Sequence, residues 1–598
     1  MLEQLIRYAQ REQLVAEPGF GPKNVHWGLV LDASGRLLSV QGFPPKGRSF
    51  PCCPELSDSE MKKGGPGCRH FLVDNAEVVT LLSKEVTAKV EAKHAYFRRF
   101  HREAARELPE LGPVAAFLDD PAELARAREE LAVRKARPTD NLTFAVLAEA
   151  AHYPVEGEAW HAWWRRFRGE LLGKATAAPA EEGEEPAGSR TMICLATGQP
   201  VQPVLTQPKI RGLSDVGGLA TGDALASYKQ DSFRSFGLVQ SENAAISQAA
   251  ASLYRAGLNA LIEKNGQRLA GAKVVHWYSG KVAREEDPLA FVVEPPERGE
   301  AAATREARRL LTAIQRGERP DLADNRYFAL TLSGASGRVM VRDFLEGRFG
   351  ELLENIDLWF DDLEIVRRDG LGPAPDPKFL AVGGALVRDL KELPSPLVAT
   401  LWRVALTGED FPQSLLARAV ERFRADVFAD APFLHARLGL MKAYHRRLER
   451  RHSNREGAHS MQPGLKEDHP APAYQCGRLL AALAALQYSA LGDVGAGVVQ
   501  RYFAAASATP SLVLGRMLRL AQHHLGKLER GMAFWHQERI ANILRQVDSE
   551  RLPRTLSLEE QSLFALGYYQ QIAADRGAAN ARRLEAQAAQ DATLPRES

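Results

Sequence analysis

Two rhythms of apolar and polar positions organise the chain. The opening stretch, MLEQLIRYAQREQL, has the spacing of an amphipathic, charged helix that stops near the Pro/Gly cluster PGFGPKN. In VHWGLVLDASGRLLSVQ, the apolar residues Val25, Trp27, Leu29 and Leu31 fall on every second position. DASG is a turn and a second apolar run follows, so this segment predicts a β-hairpin. The next stretch, GFPPKGRSFPCCPELSDSEMKKGGPGCRH, is dense in Pro, Gly and basic residues and predicts a long loop. Loops of that length are more often functional or disordered than idle. Helical periodicity resumes from Asp74 to Leu172, with breaks at Gly112-Pro113 and Pro138.

Residues 174–190, KATAAPAEEGEEPAGSR, carry no large apolar side chain and read as a linker. The mixed segment after it holds a helix pattern, EAAATREARRLLTAIQRGER, and a second hairpin pattern, YFALTLSGASGRVMVRDFL. From Leu397 onward nearly every stretch has helical period, which predicts a bundle. The break RRHSNREGAHSMQPGLKEDHPAPAY divides that helical part near residue 460. The expected architecture is α+β. A mixed α/β domain over 1–173 and the linker 174–190 precede a mixed middle domain over 191–390. A helical region over 391–460 and an all-helical C-terminal bundle over 461–598 follow. No repeat of fixed period is present.

Composition narrows the function classes. A chain of 598 residues suggests about four compact units at roughly 150 residues each. Apolar residues at 45% and charged residues at 25% are the ordinary globular balance, which excludes disorder as the main description. The net charge is only +2, so nucleic-acid binding requires local clustering of charge. Five cysteines form no disulfide framework and fit a reducing compartment. No run of about 18 apolar residues is present, and the N-terminus lacks the pattern of a signal peptide. A soluble, cytoplasmic protein without a membrane partner is expected.

The chain offers few catalytic patterns. The nearest approach to a phosphate loop, Gly169 to Lys174, is one residue short and follows no strand; HExxH, GxSxG and paired CxxC are absent. Cys52, Cys53, Cys68 and His70 share one loop, but their spacing matches no common zinc pattern. Asp357, Asp361, Asp362 and Glu364 cluster in NIDLWFDDLEI, where a solvated acidic face competes with a metal-holding site for phosphodiester cleavage. Arg447-x4-His452 and Arg519-x4-His524 fit a loose pattern used by some helical ribonucleases. A catalytic site, a metal and a cofactor are therefore not expected.

Positive charge is more informative. Lys442, Arg446, Arg447, Arg450, Arg451 and Arg455 lie in MKAYHRRLERRHSNREG, and 442, 446 and 450 follow i+4 spacing. They form a basic ridge suited to phosphates, or a solvated helix end. Trp160, Trp163, Trp164 and Phe167 share a helix face beside Arg165, Arg166 and Arg168, a spacing that favours core packing over base stacking. Lys46, Arg48, Lys62, Lys63 and Arg69 make a second basic patch, where Gly64, Gly65 and Gly67 let the backbone approach a partner.

The densest small and polar segment follows CLATGQPVQPV. It resembles the signature of the large subunit of the type I-C CRISPR surveillance complex, Cascade. Cys194, Thr197 and Gly198 match the opening Cys-x-x-Thr-Gly, and Ile210, Arg211 and Gly212 match an Ile-(Lys/Arg)-Gly step. Ser227, Tyr228, Phe233, Ser235, Phe236, Gly237, Asn243 and Ser247 match the string that follows. Tyr254, Leu258, Asn259 and Leu261 match the next helix. The chain departs at Lys229, usually Asn in the family, and at Ala245, usually Pro. Gly337, Arg338, Val339, Val341 and Arg342 fit a later element. Gly408, Pro412, Leu415, Leu416, Arg422 and Arg424 fit a helix pair.

The resemblance implies a non-catalytic subunit of an RNA-guided complex that reads a protospacer-adjacent motif on double-stranded DNA. It implies that the subunit promotes R-loop formation, holds the displaced strand and recruits a helicase-nuclease. The implied partners are target DNA, the guide-RNA ribonucleoprotein, and the backbone, crRNA-processing and small subunits. Met461 is a candidate start for a separate small subunit. On this reading Lys62 and Lys63 contact phosphates while Arg69 and His70 reach base edges or the minor groove. Ser227, Lys229, Gln230, Ser235 and Asn243 are expected at nucleic-acid or interdomain contacts, and Arg446, Arg447, Arg450 and Arg451 on the displaced strand. A metal-dependent or Arg/His nuclease and a purely structural scaffold are the rival readings.

Overall fold

A computed structural model describes the chain except residues 15–16, 46, 58–59, 62–63, 66, 148–150, 174–189, 229, 294–301, 427–432, 453–460, 495–496, 548–551 and 594–598. Two compact units emerge: Met1–Lys264 with Gly334–Met340, and Asn265–Ser333 with Val341–Ser598. The division differs from the sequence-based one. Residues 191–264 join the N-terminal part, and the proposed linker lies outside the described residues apart from Arg190.

In the first unit the expected hairpin forms from Trp27–Leu31 and Leu37–Gly42. Asp32 closes its turn by accepting the N–H groups of Ser34 at 2.8 Å and Arg36 at 2.9 Å. The next strand in that sheet is a surprise. Asn141–Leu147 runs parallel to Trp27–Leu31, pairing Leu29 with Phe144. Its five buried residues in a row give no period-2 signal, because both faces are covered. A second pair joins Phe20–Val25, in the Pro/Gly cluster and the start of the expected hairpin, to Arg48–Pro54 in the expected loop. Pro22 sits at an irregularity between Gly21 and Lys23, where a strand tolerates a residue that cannot donate a hydrogen bond.

The tryptophan helix Ala159–Gly173 packs inward as its spacing predicts. Trp160 and Trp164 are fully buried, and Trp163 lies 4.9 Å from the Phe71 ring. The arginines beside them are taken up by glutamates: Arg165 by Glu17, Arg166 by Glu107 and Arg168 by Glu60. The described side chains therefore form a core with an ion-paired rim rather than a base-stacking face.

In the second unit the all-buried strand Ala272–Tyr278 is flanked by Gln267–Leu269 and Arg326–Ala335, and the latter begins the second expected hairpin. Beyond it the chain is helical, from Ser395–Thr407 to Leu558–Thr593. Two of these helices, Pro472–Leu491 and Leu558–Thr593, meet through reciprocal glycines. A Cβ on Gly477 would collide with the Phe564 carbonyl, and one on Gly567 with the Tyr474 carbonyl. The missing side chains let the two backbones touch, and alanine at either position would force them apart. Among the described residues no helix is long and apolar enough to cross a membrane.

Candidate nucleic-acid interface

The described residues of the basic loop in the first unit are held by specific hydrogen bonds. The Glu60 carboxylate accepts the Ser57 N–H at 2.6 Å while the Ser57 hydroxyl accepts the Glu60 N–H at 3.3 Å. Arg168, from the tryptophan helix, holds the other oxygen of Glu60 with its Nε at 3.1 Å, and both side chains are buried. Further on, Gly67 has φ +88° and faces the helix Ala88–Ala105, where a Cβ would stand 2.7 Å from the Ala92 carbonyl. Only glycine fits both the backbone and that gap. Cys68 donates to the Tyr96 hydroxyl at 3.4 Å on the same helix. These anchors fix Arg69 and His70. Lys62 and Lys63 lie outside the described residues.

Around Arg69 and His70 the structure gathers charge that the sequence scatters. His70 donates its backbone N–H to Asp74 at 3.2 Å, and its Nδ1 accepts the Leu56 N–H at 3.3 Å. Burial, then the positive charges of Lys23, Arg69 and Arg211, push its pKa well below the ordinary histidine value, so the ring is neutral. Lys23 lies in the strand Phe20–Val25, buried, and donates to the Val73 carbonyl at 3.3 Å. Burial lowers its pKa, opposed by Asp74 and Glu55. Burial likewise raises the Asp74 carboxyl.

Arg211, from the Ile-Arg-Gly step, and Arg255, from the helix Gln248–Asn265, share one carboxylate. Glu55 meets Arg255 at 2.5 Å and Arg211 at 3.5 Å. Burial raises the Glu55 pKa, but these two arginines outweigh it and hold the carboxyl below its usual range. Lys23, Arg69, Arg211 and Arg255 thus stand against the two carboxylates Glu55 and Asp74. Arg211 is half exposed, and the Nε of Arg69 is buried with no acceptor among the described residues. A guanidinium short of an acceptor within a cationic cluster is suited to a phosphate or a base edge.

The signature string is held by hydrogen bonds of its own. Its lower half locks back on the chain: Leu195 donates to Ala245 at 2.9 Å, Val204 to Ile246 at 3.0 Å, and Tyr254 to Gln207 at 2.9 Å. Asn243 donates to the carbonyls of Phe233 at 2.8 Å and Gln240 at 2.9 Å, so this residue shapes a loop. Ser227 and Gln230 are exposed. Lys229 and the side chain of Ser235 lie outside the described residues.

The arginine ridge is placed in the second unit and turned inward. Arg447 is almost fully buried and binds Asp362 at 2.8 Å; Arg450 binds the same carboxylate; Arg446 binds Asp361 at 2.7 Å. Lys442 donates to the Asp361 carbonyl at 3.0 Å. Arg451 alone of the four displaced-strand candidates is largely exposed, 3.2 Å from Asp410. The acidic cluster and the basic ridge, read separately along the chain, satisfy each other. Asp357 pairs with Arg308 at 2.7 Å. Arg446, Arg447 and Arg450 are therefore framework residues, and Asp357, Asp361 and Asp362 are engaged by arginines.

The loop thiols also part company. Cys52 faces His161 at 3.8 Å, Cys53 faces the Phe50 carbonyl at 3.5 Å, and Cys68 faces Tyr96. Among the described residues no group of three potential ligands could hold a metal ion.

Sequence reasoning missed Lys23, Glu55 and Arg255 as members of the cluster. Arg211 carried a signal, its place in the family step, but nothing local linked it to Arg69. No curated protein matches the chain. The family model for CRISPR-associated protein (Cas_Csd1) matches residues 3–575. With nearly the whole chain covered, the protein belongs to the Cas_Csd1 family of CRISPR-associated proteins.

Proposed function

We propose that the protein is the non-catalytic large subunit of a type I-C RNA-guided surveillance complex. In this reading it recognises a short motif on duplex DNA, promotes R-loop formation and recruits a helicase-nuclease that does the cutting. The observation that carries the reading is the cluster of Lys23, Arg69, Arg211 and Arg255, with the Arg69 Nε left without an acceptor among the described residues. Arg69 contacts a base edge, Arg211 a phosphate, and neutral His70 positions the loop by accepting the Leu56 N–H at its Nδ1. Its partners are the guide ribonucleoprotein with its backbone, crRNA-processing and small subunits. Holding the displaced strand falls to cations other than the three inward-facing arginines, of which Arg451 is the exposed candidate.

The test uses the assembled complex and duplex targets with and without the motif. Arg69→Ala is expected to weaken binding to the motif-bearing duplex by about 1–3 kcal/mol, the worth of one specific base contact. Non-specific duplex should lose much less. Arg211→Ala should weaken both duplexes alike and lower the salt slope by about one. An unchanged ratio between the two duplexes in Arg69→Ala would overturn the motif-reading role. Strand cleavage by the purified chain, abolished by Asp361→Ala, would favour the nuclease instead.

A further inference from the structure

Phe236 is the most exposed large apolar residue among the described residues. It is 96% exposed, and its backbone has φ 61° and ψ 21°, the left-handed region that side chains with a Cβ avoid. Gly237 follows with φ +69° and Gln240 has φ +50°. A lone exposed phenylalanine needs no explanation. Exposure and a left-handed backbone coincide here, on a loop whose frame is closed by hydrogen bonds.

That frame is specific. Asn243 spans the loop base through the carbonyls of Phe233 and Gln240. Gly237 donates to Arg234 at 3.2 Å, and Val239 donates to the Glu242 carboxylate at 2.7 Å. The Phe233 ring packs edge-on against Tyr228 with centroids 5.4 Å apart. Phe233 thus anchors the turn and Phe236 projects from it. The Arg190 guanidinium reaches the Gly237 carbonyl at 3.4 Å, next to the strained peptide. Arg234, two-thirds exposed, lies 3.4 Å from Asp231.

We propose that Phe236 is a stacking residue that takes the face of an unpaired nucleobase, with Arg190 and Arg234 positioned for the adjoining phosphates. The inference rests on the nucleic-acid role proposed above. An exposed aromatic face flanked by guanidinium groups matches the chemistry of single-stranded nucleic acid, where bases offer flat π faces beside regularly spaced charge. The strain fits a side chain fixed in advance for a partner, since backbone outliers persist where the surrounding structure holds them in place for use. The base belongs either to the locally opened target DNA or to the guide RNA.

The test is carried out on the assembled complex, with 2-aminopurine walked through target strands beside the motif in one arm and through the unpaired guide RNA in the other. With the unaltered protein, one probe position should be quenched by stacking. Phe236→Leu should relieve that quenching and weaken target binding about 5- to 150-fold, the effect of losing one base–aromatic stack. Phe236→Trp should restore both. Phe236→Gly should lose binding yet raise the melting temperature, because the left-handed backbone then carries no Cβ. Quenching in the DNA arm or the RNA arm identifies the source. No responsive probe in either arm, with target binding intact and unchanged in Phe236→Leu, overturns the proposal. So does loss of a protein subunit from the complex in Phe236→Leu with quenching retained, which would make Phe236 a protein contact. If the unaltered complex ignores target DNA altogether, the functional reading fails instead, and Arg69→Ala will then have no effect to lose.

Discussion

Replacing Asp362 by alanine lowers the stability of the unit that contains it by about 3–5 kcal/mol, the cost of leaving a buried charge without its partner. The Asp362 side chain has no exposed surface, and it accepts from Arg447, itself 1% exposed, and from Arg450. Arg447 also donates to the carbonyls of Val404 and Glu409, and its guanidinium lies 4.7 Å from the Phe411 ring centre. Without Asp362 these groups surround a cation that has lost its counter-charge and cannot reach water. The double variant Asp362→Leu with Arg447→Met should recover much of the loss, because apolar replacement of both partners removes the desolvation cost along with the attraction. Denaturant titration reads both effects. An Asp362→Ala midpoint equal to that of the unaltered protein would mean that the network contributes nothing. The same variant bears on function, since a ridge used only for DNA would lose affinity rather than stability.

This network also marks where sequence reading stops. The i+4 spacing of Lys442, Arg446 and Arg450 correctly predicts a helix, Leu434–His452. It does not say which way the stripe faces. Charged stripes are nearly always solvated, and the carboxylates that make this one an exception are 85 positions away in sequence. Both hairpins were legible because strand, turn and strand are contiguous. The strand Asn141–Leu147 was not, because a doubly covered strand and a short buried helix look alike in a run of apolar residues. The pair Phe20–Val25 and Arg48–Pro54 was masked by proline and glycine, which usually mark turns.

The candidate site divides along the same line. Arg69 and His70 could be picked from a basic, glycine-rich loop, and Arg211 from a family step. Lys23 and Glu55 become meaningful only when two irregular strands pair and bring residues about 30 positions apart side by side. In the sequence Phe236 is one match in a string. Its exposure and its left-handed backbone are properties of three dimensions alone.

Acid should destabilise both units well above the carboxylate range, through histidines that the fold keeps neutral. His101 is fully buried; its Nδ1–H donates to the Phe97 carbonyl at 2.8 Å and its Nε2 accepts the Leu72 N–H at 3.1 Å. A proton on Nε2 would face a donor. His445 bonds Ser562 at 2.6 Å, and His469 accepts the Ala471 N–H at 3.1 Å while its ring stacks on Tyr474. Burial lowers the pKa of all three to about 4, with help from His469 at His445 and from Lys466 at His469. Between pH 6.5 and 4 the unfolded chain therefore binds protons that the folded chain refuses, so stability falls as pH falls through that window and levels off below it. At pH 5 each histidine costs about 2 kcal/mol relative to neutral pH. His445 and His469 together contribute about 4 kcal/mol of loss to their unit, twice the contribution of His101 to the other. His70 adds to the loss in its own unit, whereas Asp74, raised by burial, offsets part of it. Denaturant midpoints measured from pH 7 to pH 4.5 test the sign and the size. His101→Phe should make the profile of the first unit shallower by about 2 kcal/mol and leave the second unchanged. A flat profile in both units of the unaltered protein would show that these rings accept protons without cost.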